Sequence, residues 1–201
     1  MPYSDFTVKK VQEVFQVRLH ETSGLFSGLP EQKASLHLAE TLKENVPLAI
    51  SINTEKARSE LIIAPILVEL KKQHKGNLSL FSGVELTADR ERELSGFCDF
   101  LLSRSPEQLY VRSPVVMIVE AKNENIMSGL GQCIAEMIAA GIFNEQEGDA
   151  LDRTYGVITS GNLWRFLKLE GRDVHIDLDD YGIKELSGIL GILSAMVELK
   201  A

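Results

Sequence analysis

Val115-Val116-Met117-Ile118-Val119-Glu120-Ala121-Lys122 is the stretch on which the reading of this chain turns. Five consecutive apolar residues, four of them β-branched, read as a buried strand. The run ends in a carboxylate, a small residue and an ammonium. Side chains alternate faces along a strand, so Glu120 and Lys122 are expected to point the same way. Charge at the end of a buried strand is costly unless it is paired or bound to a metal. Upstream, Phe97-Cys98-Asp99-Phe100-Leu101-Leu102 is a second apolar run with one acid inside it. Together they suggest a site built from Asp99, Glu120 and Lys122.

Downstream of this stretch, residues 126–143 read as a helix. Residues 155–159 and 163–169 read as a strand pair turning at Ser160-Gly161-Asn162, and 174–178 as a short strand. Residues 183–199 form a closing helix with Leu186, Leu190, Leu193 and Val197 along one stripe. That stripe fits core burial by default and dimerisation as the other use.

Upstream, 78–86 and 96–103 read as strands, and the loop 104–113, with Pro106, joins the second to 115–121 as a hairpin. Thr54 caps a helix running to about residue 73, apolar nearly all round, kinked or divided at Pro65 and stopped at Gly76-Asn77. A helix over about 31–45 ends near Pro47, and 23–30 is a loop. Val8, Val11, Val14, Phe15 and Leu19 recur at helical spacing. The order predicts an α/β or α+β fold, a sheet flanked by helices. It leaves the order of strands across the sheet open.

A chain of 201 residues fits one domain, 1–201, with a helical part at about 1–50, a core at about 54–170 and a last helix at about 183–199. No apolar run approaches the roughly 20 residues of a membrane helix. The N-terminus lacks the apolar segment of a signal peptide. Cys98 and Cys133 have no metal-type spacing and read as small buried apolar residues. A reduced, cytoplasmic protein with no membrane attachment is expected. The net charge of −8 argues against broad adhesion to nucleic acid, and it fits carboxylates gathered around a divalent cation. His20, His37, His74 and His175 are dispersed, with no ligand pair among them.

Acid-x-Lys triplets are cheap. Glu31-Gln32-Lys33, Glu69-Leu70-Lys71 and Glu198-Leu199-Lys200 repeat the pattern in helix-like, polar-flanked settings. Only Glu120-Ala121-Lys122 follows a strand-forming run. Two carboxylates brought close repel, and one protonates unless a cation lies between them. Mg²⁺ takes one or two carboxylates plus waters and phosphate oxygens. A nearby lysine stabilises charge on a phosphodiester under attack, or orients and deprotonates the attacking water. On spacing alone, an edge-of-sheet ion pair with Asp99 in solvent is equally compatible.

Gly96-Phe97-Cys98-Asp99, followed by Val115 through Glu120-Ala121-Lys122, resembles the PD-(D/E)XK, or restriction-endonuclease-like, nuclease superfamily. The resemblance implies a mixed central sheet flanked by helices, with an acid on the second core strand and (D/E)-x-K on the third. Lys56-Ala57-Arg58-Ser59-Glu60 looks like the helix that adds a glutamate to many such sites, here Glu60. Gly129-Leu130-Gly131-Gln132-Cys133-Ile134-Ala135-Glu136 resembles the following helix, with Gln132 as its supporting polar residue. Residues 155–166 resemble a later hairpin of the restriction-type and predicted-nuclease branches. Cys98 stands where the motif's name has proline.

The resemblance implies that Asp99, Glu120, the Ala121 carbonyl and Glu60 hold Mg²⁺ or Mn²⁺. Lys122 acts on the attacking water or the transition state, and Gln132 positions Lys122 or water. The expected activity is metal-dependent hydrolysis of nucleic-acid phosphodiesters, DNA foremost, with a homodimer or protein partner compatible. The alternative is a catalytically inactive nuclease-fold binding module in a larger complex. Several residues keep a plainer reading. Gln132 and Glu136, four apart on one helix face, read equally well as solvated. Arg58 fits a surface role as well as a phosphate contact, and Trp164 and Phe166 fit the core.

Overall fold

The computed structural model describes residues 3–198. Leu199, the expected end of the last helix, lies outside the described residues. A 3-10 turn (Tyr3–Asp5) leads to helix α1 (Val8–Phe15), which Thr7 caps by accepting from the Lys10 N–H. Gln16 ends it in the left-handed region. The expected run of this helix to Leu19 is corrected: Arg18–Thr22 is strand β1. Its partner lies far along the chain, and its mostly exposed, polar residues carry no alternating pattern.

Helix α2 (Leu36–Ile52) starts at the Ser35 cap and runs through Pro47 instead of ending there. One missing N–H does not break it, because Leu38, Leu42 and Ala49 are buried in the core along its length. The helix expected from Thr54 is three pieces: α3 (Glu55–Arg58), a π-helical turn (Ser59–Ile63) and α4 (Ala64–Gln73). Pro65 explains the π turn. It has no N–H to give the Leu61 carbonyl, which instead accepts from Asn45 Nδ2 at 2.9 Å. The Ala64 N–H meanwhile reaches back five residues to Ser59.

Strands β2 (Ser79–Asp89), β3 (Leu94–Ser103) and β4 (Val115–Ala121) follow. A 3-10 turn (Ile126–Gly129) opens helix α5 (Leu130–Glu147). Then come β5 (Arg153–Thr159), β6 (Leu163–Glu170), β7 (Asp173–Asp177) and β8 (Tyr181–Gly182). A last 3-10 turn (Ile183–Glu185) precedes helix α6 (Leu186–Glu198).

All eight strands form one mixed sheet, ordered β1-β7-β6-β5-β4-β3-β2, with β8 on β6. The pairs β4–β5 and β1–β7 are parallel, and the rest are antiparallel. A parallel neighbour needs a crossover, which α5 provides between β4 and β5. The expected α/β architecture, a sheet flanked by helices, is therefore present.

Both faces of the sheet are covered. On one, Met117, Val119 and Ala121 of β4 join a cluster with Leu67, Leu70, Trp164 and Leu190 from α4, β6 and α6. On the other, Ile118 joins Val11, Phe15, Ile134 and Met137 from α1 and α5. This is why every residue of β4 is buried and why its run shows no polar alternation. The α6 stripe is consumed in this core: Leu190, Leu193 and Val197 are buried. With its 3-10 turn, α5 is long and apolar enough to cross a membrane by length and composition, and most of it is buried within the fold. Its start presses so close to the chain before α1 that a Cβ on Gly131 would lie 2.3 Å from the Phe6 carbonyl oxygen.

Candidate functional site

The site lies at the C-terminal end of β4. By the alternation just described, Glu120 and Lys122 point with Ile118 toward α5, as the sequence predicts. The β3–β4 ladder stops at the pair Phe100–Val119. Beyond it β3 parts from β4, and the Asp99 carboxylate takes over, accepting from the Ala121 N–H at 2.8 Å. In an extended strand a residue's N–H and C=O face the same neighbour, so the Ala121 carbonyl lies on the Asp99 side. On the opposite edge the Lys122 N–H donates to the Thr159 carbonyl at 2.8 Å, tying the end of β4 to β5.

Lys122 Nζ donates to Glu120 Oε1 in a short ion pair. The Glu120 side chain is only 2% exposed, and its Oε2 is buried with no hydrogen-bond partner. Gln132, on the second turn of the helical segment after β4, places Oε1 3.3 Å from Lys122 Nζ. Its Nε2 donates to Glu136 Oε1 at 3.0 Å. The residues form a continuous line, Glu120–Lys122–Gln132–Glu136. Close approach of helix to strand is possible because residue 129 is glycine: a Cβ there would sit 2.9 Å from Lys122 Cε.

Burial, followed by the charge of Asp99, pushes the Glu120 carboxyl up to about 8, against the pull of Lys122. Burial, followed by Glu120, raises Glu136 well above the carboxylate range. For Lys122 burial works downward. The charge and hydrogen bond of Glu120, with Glu55 and Asp99 behind them, outweigh it and hold the ammonium above its ordinary value. Burial and mutual repulsion thus drive the Glu120 and Glu136 carboxyls toward their neutral forms, with Lys122 pulling the other way.

Glu60 does not join this group. It lies on the π turn, its side chain is 63% exposed, and it pairs with Lys56 at 3.6 Å. The helix carboxylate whose charge reaches Glu120 and Lys122 is Glu55, at the start of α3. Sequence reasoning passed over Glu55 as a helix former after the Thr54 cap. It also allowed Glu136 a solvated reading, although the apolar residues on all sides of it in the sequence mark a helix buried all round. Arg58 is buried rather than exposed. It donates to the Ser160 carbonyl at 3.1 Å and to Asn53 Oδ1 at 2.9 Å, clamping α3 to the turn after β5.

Among the described residues no three His, Cys, Asp or Glu side chains converge as a metal cage. The oxygens at this strand end that could hold an ion are those of Asp99 and Glu120 and the Ala121 carbonyl. The partnerless Glu120 Oε2 is a donor atom that burial leaves wanting a cation or a proton. Such a set fits a hard divalent ion that keeps waters and takes oxygens from a substrate, as Mg²⁺ does. No protein-family model matches the chain, and no curated protein matches it.

Proposed function

We propose that the chain is a Mg²⁺- or Mn²⁺-dependent nuclease of restriction-endonuclease-like fold, hydrolysing phosphodiester bonds of nucleic acid, with DNA the first substrate to try. The observation that carries this reading is the buried, partnerless Oε2 of Glu120 beside Asp99, with Lys122 on the same strand face. Asp99, Glu120 and the Ala121 carbonyl would hold the ion. When bound, a divalent ion supplies Lewis acidity toward the phosphoryl oxygens and a more acidic water.

The chain's own part is positional and electrostatic. Glu120 fixes the Lys122 ammonium through their ion pair, and the ammonium would stabilise charge that develops on a bound phosphoryl group. Gln132 holds the other side of the ammonium. Cleavage assays with single-stranded, duplex and branched DNA, with and without Mn²⁺, test the reading. Metal-stimulated cleavage lost in Lys122→Ala is the expected result. No cleavage of any substrate by the wild type would sink it.

The closed Lys122–Glu120 pair favours a second reading, a catalytically inactive binding module of the same fold acting in a larger complex, where the pair is structural. Calorimetry separates the two. Absence of Mn²⁺ binding, with Asp99→Ala behaving as wild type, selects the module.

A further inference from the structure

Glu136 is fully buried on α5, between Ala135 and Met137, which are equally buried. Burying a carboxyl in such a place is costly unless it is hydrogen-bonded or paired. One of its oxygens accepts from Gln132 Nε2 at 3.0 Å, and the other, Oε2, is buried without a partner. The groups around it give it no cation to pair with directly. Cys98, Cys133 and Tyr3 are all themselves pushed toward their neutral forms by burial and by Glu136.

The two ends of the Gln132 amide have nearly the same shape and opposite hydrogen-bonding character. Lys122 carries only donors, so it requires the carbonyl end. Packing alone does not choose between the ends. Lys122 fixes the choice from one side, and Glu136 supports it from the other, its Oε1 being the acceptor that Gln132 Nε2 reaches.

We propose that Glu136 is a positioning residue: by accepting from Gln132 Nε2 it sets the Gln132 carbonyl toward Lys122 and thereby holds the ammonium over Glu120. The effect on cleavage rests on the nuclease reading above; the effect on geometry does not.

The test uses the full chain, free of metal and nucleic acid, with the Gln132 side-chain amide followed by ¹⁵N–¹H NMR. In the wild type its two protons are expected to be distinct and protected from exchange. An averaged, freely exchanging amide overturns the proposal without any variant. Glu136→Gln keeps an acceptor oxygen and is expected to leave exchange within about twofold of wild type. Glu136→Met fills a similar volume without an acceptor and is expected to speed exchange at least about fivefold. Equal behaviour of the two variants overturns the proposal. In cleavage assays, kcat is expected to fall in Glu136→Met with KM nearly unchanged, and to recover in Glu136→Gln. An amide that responds as expected in a protein that never cleaves supports the positioning role and removes the nuclease reading alone.

Discussion

The Asp99 carboxylate accepts the Ala121 N–H at 2.8 Å at the point where β3 and β4 part. It satisfies the last main-chain donor of a buried strand and sets a negative charge beside Glu120. Asp99→Asn separates these roles, because an amide oxygen still accepts the Ala121 N–H. The fold is expected to survive with a stability change within about 1 kcal/mol. Mn²⁺ affinity is expected to fall at least about tenfold, a loss that changes in a supporting shell alone can reach. Calorimetry with Mn²⁺ reads the result, and unchanged affinity would remove Asp99 from the ion set.

Lys122 is the cation in contact with Glu120. Lys122→Met keeps the apolar stem beside Gly129 and removes the charge. Cleavage is expected to drop at least about 100-fold, the lower range for a positioned proton-transfer or charge-stabilising group. With its partner gone, Glu120 rises further from its already raised value of about 8. The variant should therefore match the wild type in thermal melts at pH 6 and fall behind it at pH 9. Equal melts at both values would mean that the ion pair carries little of the site's electrostatics.

Stability should also carry the signature of Glu136. Its carboxyl is raised well above the ordinary 4.5 in the folded chain. The native state therefore holds its proton when the unfolded state has lost it, and stability falls as pH rises above about 4.5. The loss approaches about 1.4 kcal/mol per pH unit for one such group, or about 3–6 °C in Tm for a domain of this size. Glu136→Gln removes this slope. The Tm gap of the variant over the wild type is expected to widen from pH 5 to pH 8, and a constant gap would contradict the burial argument.

Gly129→Ala is a gentle change with a directed effect. Its Cβ would meet Lys122 Cε at 2.9 Å, and Ile158 Cγ2 and Lys122 Cγ at 3.2 Å. The backbone at 129 is ordinary, so the lysine stem yields rather than the turn. A cleavage loss of about tenfold or more, with stability changed by less than about 1.5 kcal/mol, is expected. A large stability loss with activity per folded molecule intact would show that Ile158, not Lys122, takes the strain.

The strand that carries the site was readable because β4 is buried on both faces, and burial on both faces writes an unbroken apolar run. The α6 stripe was visible as helical spacing, and the Thr54 cap as a hydroxyl residue ahead of a run of helix formers. β1 was not readable. An exposed edge strand made of Arg18, Leu19, His20, Glu21 and Thr22 has no pattern of its own, and its ladder depends on residues 173–177. Local spacing therefore carried Leu19 into the preceding helix. The end of α2 was misplaced because Pro47 is a strong stop signal locally, while the core contacts that override it are distant. Asp99, Glu120, Lys122 and Gln132 come together as their positions suggested. Glu60 lies exposed on the π turn beside Lys56, and spacing does not reveal that turn.

That turn has a consequence for how the chain tolerates change. An α-helix advances about 100° per residue, so one extra residue in a turn rephases everything before it against everything after it. α4 is phased by the core, with Ile66, Leu67 and Leu70 buried, whereas α3 is phased by the sheet end, where Arg58 reaches Ser160. Deleting a single residue from Ser59–Ile63 would remove the extra residue of the turn and leave the core face of α4 in place. It would also swing Arg58 and Glu55 about a quarter turn or more away from the end of β4. The irregularity works as a phase joint, allowing one helix to obey two neighbours that demand different rotations.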